Sequence, residues 1–251
     1  MSGHSHWATI RRKKGAQDAK RGQVFTRLAR EIVIAAREGG GDPSSNVRLS
    51  LAIDRARAQN MPKDNIERAI KRGTGELKEG NAIEEVTYEG YAPHGIALLI
   101  SVVTDNRNRA VSDIRHVLNR LGGSMADAGS VAWQFTRYAY FSFPAEEQDT
   151  DAVFELAVEA GADDVKFDAE TIEIIGPLDS FKDISDKLHS AGIQPEEAEL
   201  RPLPNNEVEL EADETMQVVR VVEALEELDD VQSVHSNLSI SDEVMAQLET
   251  A

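Results

Sequence analysis

A complete βαββαβ pattern occupies residues 138–204, between two stretches that are each too short to form a sheet alone. Its strand-like runs are YAYFSFP, DDVKFDA, TIEIIGP and AELRPLP, and its helical segments are DAVFELAVEAG and LDSFKDISDKLHSAG. Alternation with a period of two favours strands, and a period near 3.6 favours helices. Because exposed connections tolerate inserted domains, we predict that residues 138–204 form an acidic α/β domain inserted into another domain.

The host of this insertion is predicted from the segments on either side of it. Residues 81–137 contain the strand-like runs EEVTYEGYA, GIALLISVVTD and SVAWQF and one helical segment, NRNRAVSDIRHVLNRLGG. Residues 205–240 add the strand-like runs NEVELEA and VQSVHSNLSI and the helical segment TMQVVRVVEALEELDD. Neither segment completes a sheet by itself, so we predict that the two combine into one α/β domain.

Amphipathic helical segments fill most of the first 80 residues. The first runs from Ala16 to a stop at Gly39–Gly41, the second begins at Asp42 and Pro43, and the third ends at Gly73. Glycine after an apolar periodic segment is a typical helix stop, and proline at the first helical position is a typical start. We therefore predict a three-helix domain over residues 1–80 and an α+β multidomain fold for the whole chain.

Charge is divided unevenly along this acidic chain, whose formal net charge is −18. Residues 1–80 hold 17 Lys and Arg against 9 Asp and Glu, whereas residues 138–251 hold 5 against 30. Counterion release draws a polyanion to the first segment, and like charge repels it from the last. The pattern predicts a protein that touches nucleic acid with one end only. The alternative is that the negative surface serves solubility.

Residue content argues against most enzyme chemistries. The chain has no cysteine, which rules out disulfides, thiolate metal sites and a cysteine nucleophile. His4 and His6 are close enough in sequence to share a metal ion, but no further ligand is spaced to join them. The glycine-rich pieces EGGGD, KRGTG and RLGGS follow helices and predict helix stops. We predict a protein that is not an enzyme, with no catalytic residues, no metal and no cofactor.

The cellular location is predicted from the apolar segments. The longest apolar run, GIALLISVV, is far shorter than the roughly 20 residues that span a bilayer. The N-terminus lacks the apolar segment of a secretory signal peptide. We expect a cytoplasmic protein that does not associate with a membrane.

Two basic clusters are the candidate nucleic-acid contacts. One cluster, Asn106–Arg109, lies where a strand turns into a helix. Backbone N–H groups and arginines could hold an anion there together. Alternatively, the segment could be a capped, solvated helix start. Trp7 could stack on a base or anchor the helical core. The other cluster is an N-terminal arm. Its neighbouring glycines allow the backbone to approach a phosphate chain closely. The arm residues are Arg11, Arg12, Lys13, Lys14, Lys20 and Arg21.

Five motifs resemble the YebC/PmpR family, whose eukaryotic relative is the mitochondrial translational activator of cytochrome c oxidase. They span nearly the whole chain and occur in the family's order. In two positions, Ala92 and His94, this chain departs from the family's glycine-rich YEGYGPGG pattern. The motifs are GHSHWATIRRKKGAQDAKRGQVFTRLAREI, NMPKDNIERAIKRGTG, YEGYAPHG, TDNRNRAVSDIRH and GSVAWQF.

The resemblance implies a fold, a function and a set of binding residues. The implied fold is an N-terminal helical domain plus two ferredoxin-like α/β domains, the third inserted into the second. The implied functions are a DNA-binding transcriptional regulator or, alternatively, a ribosome-associated translation factor that binds rRNA or tRNA and relieves stalls at proline runs. Carried over by motif, the binding residues are the N-terminal arm together with Arg107 and Arg109. An adaptor that binds a protein partner through the acidic domains remains a third hypothesis, and we expect a monomer.

Overall fold

The computed structural model describes residues 19–77, 82–146, 148–168, 170–241 and 244. The described residues form two compact units. Residues 134–206 make up one unit, and the remaining described residues make up the other. The predictions made for His4, His6 and Trp7 lie outside the described residues. The elements in chain order are α1 Ala19–Gly39, α2 Val47–Ala58, α3 Lys63–Gly73, β1 Glu84–Tyr91, β2 Ala97–Thr104, α4 Arg107–Arg120, β3 Ser124–Met125, β4 Phe135–Pro144, α5 Thr150–Glu159, β5 Asp164–Phe167, β6 Thr171–Gly176, α6 Phe181–Ser190, β7 Glu197–Pro204, β8 Val208–Glu209, α7 Ala212–Glu226, β9 Val231–Ser236 and β10 Leu238–Ser239.

Helices α1, α2 and α3 pack around an apolar core that includes Ile32, Leu49 and Ile66. The second helix does not begin at Asp42 and Pro43, as predicted, but at Val47. The reason is Asn46, whose side chain accepts a hydrogen bond from the Leu49 backbone N–H and donates to the carbonyls of Ala35 and Gly40. Asparagine is a preferred N-cap, and here the cap also joins α2 to the end of α1.

Gly73 allows α3 to pack closely against α1. A Cβ atom at this position would lie 2.5 Å from the Val33 carbonyl oxygen and 2.7 Å from the Ala36 Cβ. Gly73 was predicted as a helix stop, yet it is the last residue of α3, and the left-handed backbone conformation belongs to Gly75, with φ of 83°. The glycine is therefore required by the approach of two helices.

We expect Gly73→Ala to lower the free energy of unfolding by about 1–3 kcal/mol, because the added methyl group overpacks a contact with the backbone. Gly22 in α1 is a matched control, since a Cβ there would have nothing within 4 Å. Gly22→Ala should instead stabilise the protein by about 0.5–1 kcal/mol through helix propensity. Urea denaturation of both variants checks the prediction, and equal effects would contradict it.

The first α/β sheet has the strand order β3–β1–β2–β9, with antiparallel neighbours throughout. Helix α4 connects β2 to β3 while β1 lies between those strands, a split connection found in ferredoxin-like sheets. Leu98 and Ile100 of β2 pack with Ile114 of α4 and Val218 of α7 in one core. Residues before and after unit 134–206 thus build a single sheet.

Two predicted strands of this sheet were wrong in extent. In SVAWQF, residues Ala132–Gln134 form a short 3₁₀ helix, and the next strand, β4, begins at Phe135. In NEVELEA, only Val208–Glu209 pairs, and its partner is β10 in a separate two-stranded parallel sheet. Alternating hydrophobicity reports which side chains face inward, but it does not show whether a neighbouring strand is available for pairing.

The β1–β2 connection contains the two departures from the glycine-rich pattern. Ala92 is buried, and His94 has a left-handed backbone conformation with φ of 63°. The His94 ring nitrogens contact α7, with Nε2 at 3.2 Å from the Gln217 side-chain oxygen and Nδ1 at 3.4 Å from the Glu214 carboxylate. These side-chain contacts hold a non-glycine residue in a conformation that usually favours glycine.

Unit 134–206 contains the sheet β5–β6–β4–β7, with α5 and α6 connecting its strands in the βαββαβ order. This strand order is ferredoxin-like, and the Phe141 ring of β4 packs on Phe181 of α6 with 4.9 Å between centroids. The Arg201 guanidinium lies 3.7 Å from the Tyr140 ring centroid. The predicted fold class is confirmed: α+β multidomain, with a three-helix part and two ferredoxin-like α/β parts.

None of the helices in the described part of the chain has an apolar stretch long enough to cross a lipid bilayer.

Candidate nucleic-acid interface

The predicted arm lies mostly outside the described residues. This holds for Arg11, Arg12, Lys13 and Lys14, and for Lys20 and Arg21 the structure places the backbone in the first turn of α1. A charged segment directly before α1 would therefore join the helical part at one end of its longest helix. The role of the arm stays a prediction.

Arg107 and Arg109 lie at the N-terminus of α4, as the sequence predicted, and each has carboxylate partners. Asn106 caps the helix by accepting a hydrogen bond from the Arg109 backbone N–H at 3.1 Å. Arg107 pairs with Glu84, and Arg109 pairs with Asp105 at 2.9 Å. A phosphate at this helix end would compete with these carboxylates for both guanidinium groups. The nucleic-acid role of the two arginines is therefore not established by their position.

Asp230 joins three parts of the chain through its carboxylate. Its side chain is 7% exposed, accepts hydrogen bonds from Arg109 at 2.8 Å and from the Thr104 hydroxyl at 3.0 Å, and forms an ion pair with Arg30 at 2.8 Å. These contacts connect α1, the end of β2 and the start of α4. The hydrogen bonds to Asp230 and Asp105 also raise the pKa of the Arg109 guanidinium. Arg109 thus has a structural role in the fold.

A basic cleft of about 380 Å³ lies between α1 and α3. Apolar side chains, including Phe25 and Met61, form part of its lining. The polar lining consists of Thr26, Arg30, Asn65, Arg68, Arg72 and Asp105. Favourable interaction with the helix dipole accounts for basic residues near the end of α3, but Arg30 of another helix faces the same cleft. Three arginines thus line one concave surface, and the guanidinium of one of them, Arg30, is also paired with Asp230.

The outer face of α4 carries two exposed arginines that the sequence prediction did not select. Arg115 and Arg120 are exposed, as is His116 between them. Among the residues that the structure describes, neither arginine has a carboxylate within ion-pair distance. The helix as a whole contains four arginines and one aspartate. This excess of basic residues in an acidic chain is the sequence feature that could have identified the two arginines. The helical period could then have predicted that both face solvent.

A loop over residues 126–133 presents Trp133 to solvent, with 70% of its surface exposed. The loop is held from below by Glu89 of β1, a buried residue that is 8% exposed. The Glu89 carboxylate accepts hydrogen bonds from the backbone N–H groups of Gly129, Val131 and Ala132, at 2.5–2.8 Å. The sequence prediction missed this feature because it assigned Trp133 to a strand.

We expect the loop to lose its anchor in acid. Burial by itself would raise the pKa of Glu89, but the three backbone N–H hydrogen bonds lower it below the ordinary value. A lowered carboxylate pKa adds stability that is present above the unfolded-state pKa, about 4.3, and is lost as the pH falls through the folded-state value. Fluorescence of Trp133 in a Trp7→Phe background should therefore change below about pH 4. Glu89→Gln should remove this transition, and its persistence would contradict the assignment to Glu89.

No group of three or more His, Cys, Asp or Glu side chains in the described ranges is arranged to hold a metal ion.

Comparison with known proteins identifies the family. The family model described as the TACO1/YebC protein N-terminal domain matches residues 5–76, and the model of the TACO1/YebC second and third domain matches residues 83–238. The chain belongs to the TACO1/YebC family, as the resemblance predicted.

Several relatives match over their full length. A protein of Acidithiobacillus ferrooxidans is 52% identical over 99% of both chains, and one of Geotalea uraniireducens is 48% identical over 99% of this chain and all of its own. Both are named "probable transcriptional regulatory protein". The crystal structure of a conserved hypothetical protein from Aquifex aeolicus superposes with a TM-score of 0.86 and 42% identity, covering 94% of this chain and 98% of that one.

Proposed function

We propose that this protein is a non-enzymatic regulator of gene expression that binds nucleic acid through its basic N-terminal part. The observation that carries the proposal is the charge division, with 17 basic and 9 acidic residues in the first 80 positions against 5 and 30 in residues 138–251. Phosphate neutralisation by Lys and Arg supplies most of the non-specific affinity for nucleic acid. The acidic remainder limits contact to one end of the chain.

The geometry of the described residues supports this assignment at two surfaces. The cleft between α1 and α3 gathers Arg30, Arg68 and Arg72, and α1 directly follows the arm. The outer face of α4 adds Arg115 and Arg120, which are exposed and have no carboxylate partner among the described residues. Phosphate can bind the guanidinium groups of Arg115 and Arg120 without first having to break an ion pair with a described carboxylate, whereas Arg30 in the cleft is already paired with Asp230.

Duplex DNA is the first candidate partner, because the relatives named above are called probable transcriptional regulatory proteins. RNA on the ribosome is the second candidate, and the exposed ring of Trp133 favours it. Bases in a duplex are stacked on one another, whereas single-stranded RNA presents its bases for stacking on aromatic side chains. Either candidate partner would bind the same basic surface of the protein.

A direct comparison of the two partners tests the proposal. Fluorescence anisotropy with labelled promoter fragments and co-sedimentation with purified ribosomes are measured in one potassium chloride series from 50 to 300 mM. Binding to either partner that weakens steeply with salt supports the proposal, and the tighter partner at the higher salt concentrations identifies the candidate. A chain that binds neither partner at 50 mM salt would overturn the proposal.

The exposed face of α4 provides a sharper test. For each arginine that contacts a phosphate, we expect substitution by glutamine to reduce the slope of log affinity against log salt by about one. Arg115→Gln and Arg120→Gln are compared with Lys182→Gln, which removes an exposed cation from the acidic unit. All three variants lose one positive charge, so equal effects would show that net charge and not position determines affinity.

A further inference from the structure

Trp133 is more exposed than the other large apolar side chains described in its unit. Its indole Nε1 donates a hydrogen bond to the Ser130 carbonyl at 3.0 Å, within its own loop. The polar edge of the ring is therefore satisfied, while 70% of the residue stays exposed. Only Val208 is a further exposed large apolar residue among the described residues of this unit, at 37%. Among the described residues of this unit, Trp133 is thus an isolated exposed ring and not part of an extended apolar surface patch.

The loop that carries Trp133 is fixed at several points. Three of its backbone N–H groups bond the buried Glu89 carboxylate, and the Tyr91 hydroxyl donates to the Ser130 carbonyl at 3.4 Å. Burying a carboxylate is unfavourable unless hydrogen bonds compensate for the lost water. Here the compensating hydrogen bonds to Glu89 come from the loop that holds the Trp133 ring in solvent. The ring is preorganised, so binding it to a flat partner requires little further ordering.

We propose that Trp133 is a stacking platform for an unpaired base of single-stranded nucleic acid. The proposal rests on the proposed function and specifies its ligand. An indole with a satisfied N–H offers its π-face to a partner, and every base has a π-face that can stack on it. Contact with a partner protein would call for a complementary surface on the order of 1,000 Å², and the exposed apolar residues of this unit do not provide such a surface.

The chain order around the loop favours nucleic acid. The loop follows β3, an edge strand of its sheet, and Arg120 ends the helix that leads into β3. An exposed cation thus precedes this strand along the chain and an exposed ring follows it. A strand of nucleic acid, in which phosphates and bases alternate, offers ligands for both kinds of side chain. RNA and locally melted DNA both offer such unpaired bases, and the chemistry of stacking is shared.

Tryptophan fluorescence reports the contact directly. The chain has two tryptophans, so Trp7→Phe leaves Trp133 as the single reporter in the full-length protein. Titration uses single-stranded 12-mers of RNA and of DNA with the same sequence, together with the fully paired DNA duplex. We expect quenching by the single strands and little by the duplex. The tighter of the two single strands distinguishes RNA from melted DNA as the source of the base.

Substitutions test whether stacking contributes to affinity. Trp133→Ala and Trp133→Leu should each weaken binding of the single strand about tenfold, and Trp133→Phe should stay within about threefold of wild type, because phenylalanine retains a π-face. The salt slope should not change, since no charge is removed. Phe154→Ala, which removes a half-exposed aromatic from unit 134–206, is the matched control and should leave affinity unchanged.

The outcomes separate this proposal from the proposed function. Wild-type binding with no quenching of Trp133 and no loss in the alanine and leucine variants would overturn the stacking platform alone. If leucine preserves affinity and alanine does not, the contact is apolar and the stacking proposal is likewise overturned. A wild-type chain that binds no nucleic acid would overturn both. Thermal melts of all variants show whether a loss reflects unfolding, and the quenching result stands independently of any substitution at position 133.

Discussion

Asp230→Asn should lower the free energy of unfolding of its unit by about 3 kcal/mol, because the substitution removes the charge that pairs with Arg30 and Arg109. The carboxylate is nearly buried and also accepts from the Thr104 hydroxyl. Asparagine keeps the volume of the side chain but directs an NH₂ group at donors, so the guanidinium groups of Arg30 and Arg109 each lose a charged acceptor. Breaking a buried ion pair by removing one partner costs about 3–5 kcal/mol, and the partial exposure of Arg109, at 46%, favours the lower end of that range.

The adjacent residue provides the control for this prediction. Asp229 is exposed, and it contacts Arg30 through its backbone carbonyl, at 2.6 Å. Asp229→Asn therefore makes the same change in charge while leaving that hydrogen bond in place, and its effect should be within about 0.5 kcal/mol of wild type. Urea unfolding followed by circular dichroism measures both variants. Similar stabilities for the two would show that the Asp230 node does not hold these parts of the chain together.

Simultaneous substitution of Arg11, Arg12, Lys13 and Lys14 by alanine should reduce the salt dependence of nucleic-acid binding. If each side chain neutralises one phosphate, the slope of log affinity against log salt falls by about 3.6 for duplex DNA and by about 2.8 for a single strand. Between 50 and 200 mM salt, wild type would then lose about a hundredfold more affinity for DNA than the variant. Affinity at several salt concentrations, measured for both proteins, checks this result.

Stability distinguishes a binding role for the arm from a structural one. Side chains that contact phosphates contribute little to packing, so the thermal melt of the fourfold variant should match that of wild type. Unchanged affinity and slope would mean that the arm is not in contact with nucleic acid, and the search would move to α4. A strongly lowered melting temperature would mean that the four residues are structural, and the charge division would need another explanation.

Much of the fold was accessible from periodicity, and the errors have local physical causes. The βαββαβ order of the central unit was predicted correctly because each strand and helix has its own apolar period. The start of α2 was misplaced because Asp42 and Pro43 resemble a helix start, whereas the tertiary hydrogen bonds of Asn46 select the later position. Trp133 was assigned to a strand because alternation alone cannot reveal the three N–H groups that bind Glu89.

The division of charge, the kind and order of most elements and the lack of cysteine chemistry could be predicted from the sequence, because these depend on composition and on neighbours along the chain. Which basic residues have carboxylate partners depends instead on the tertiary fold. Arg30 and the neighbouring pair Thr104 and Arg109 are far in sequence from Asp230, and folding brings all three to its carboxylate. It likewise leaves Arg115, Arg120 and Trp133 exposed. Ion pairing and burial depend on distances of a few ångströms in space, and local sequence patterns do not contain those distances.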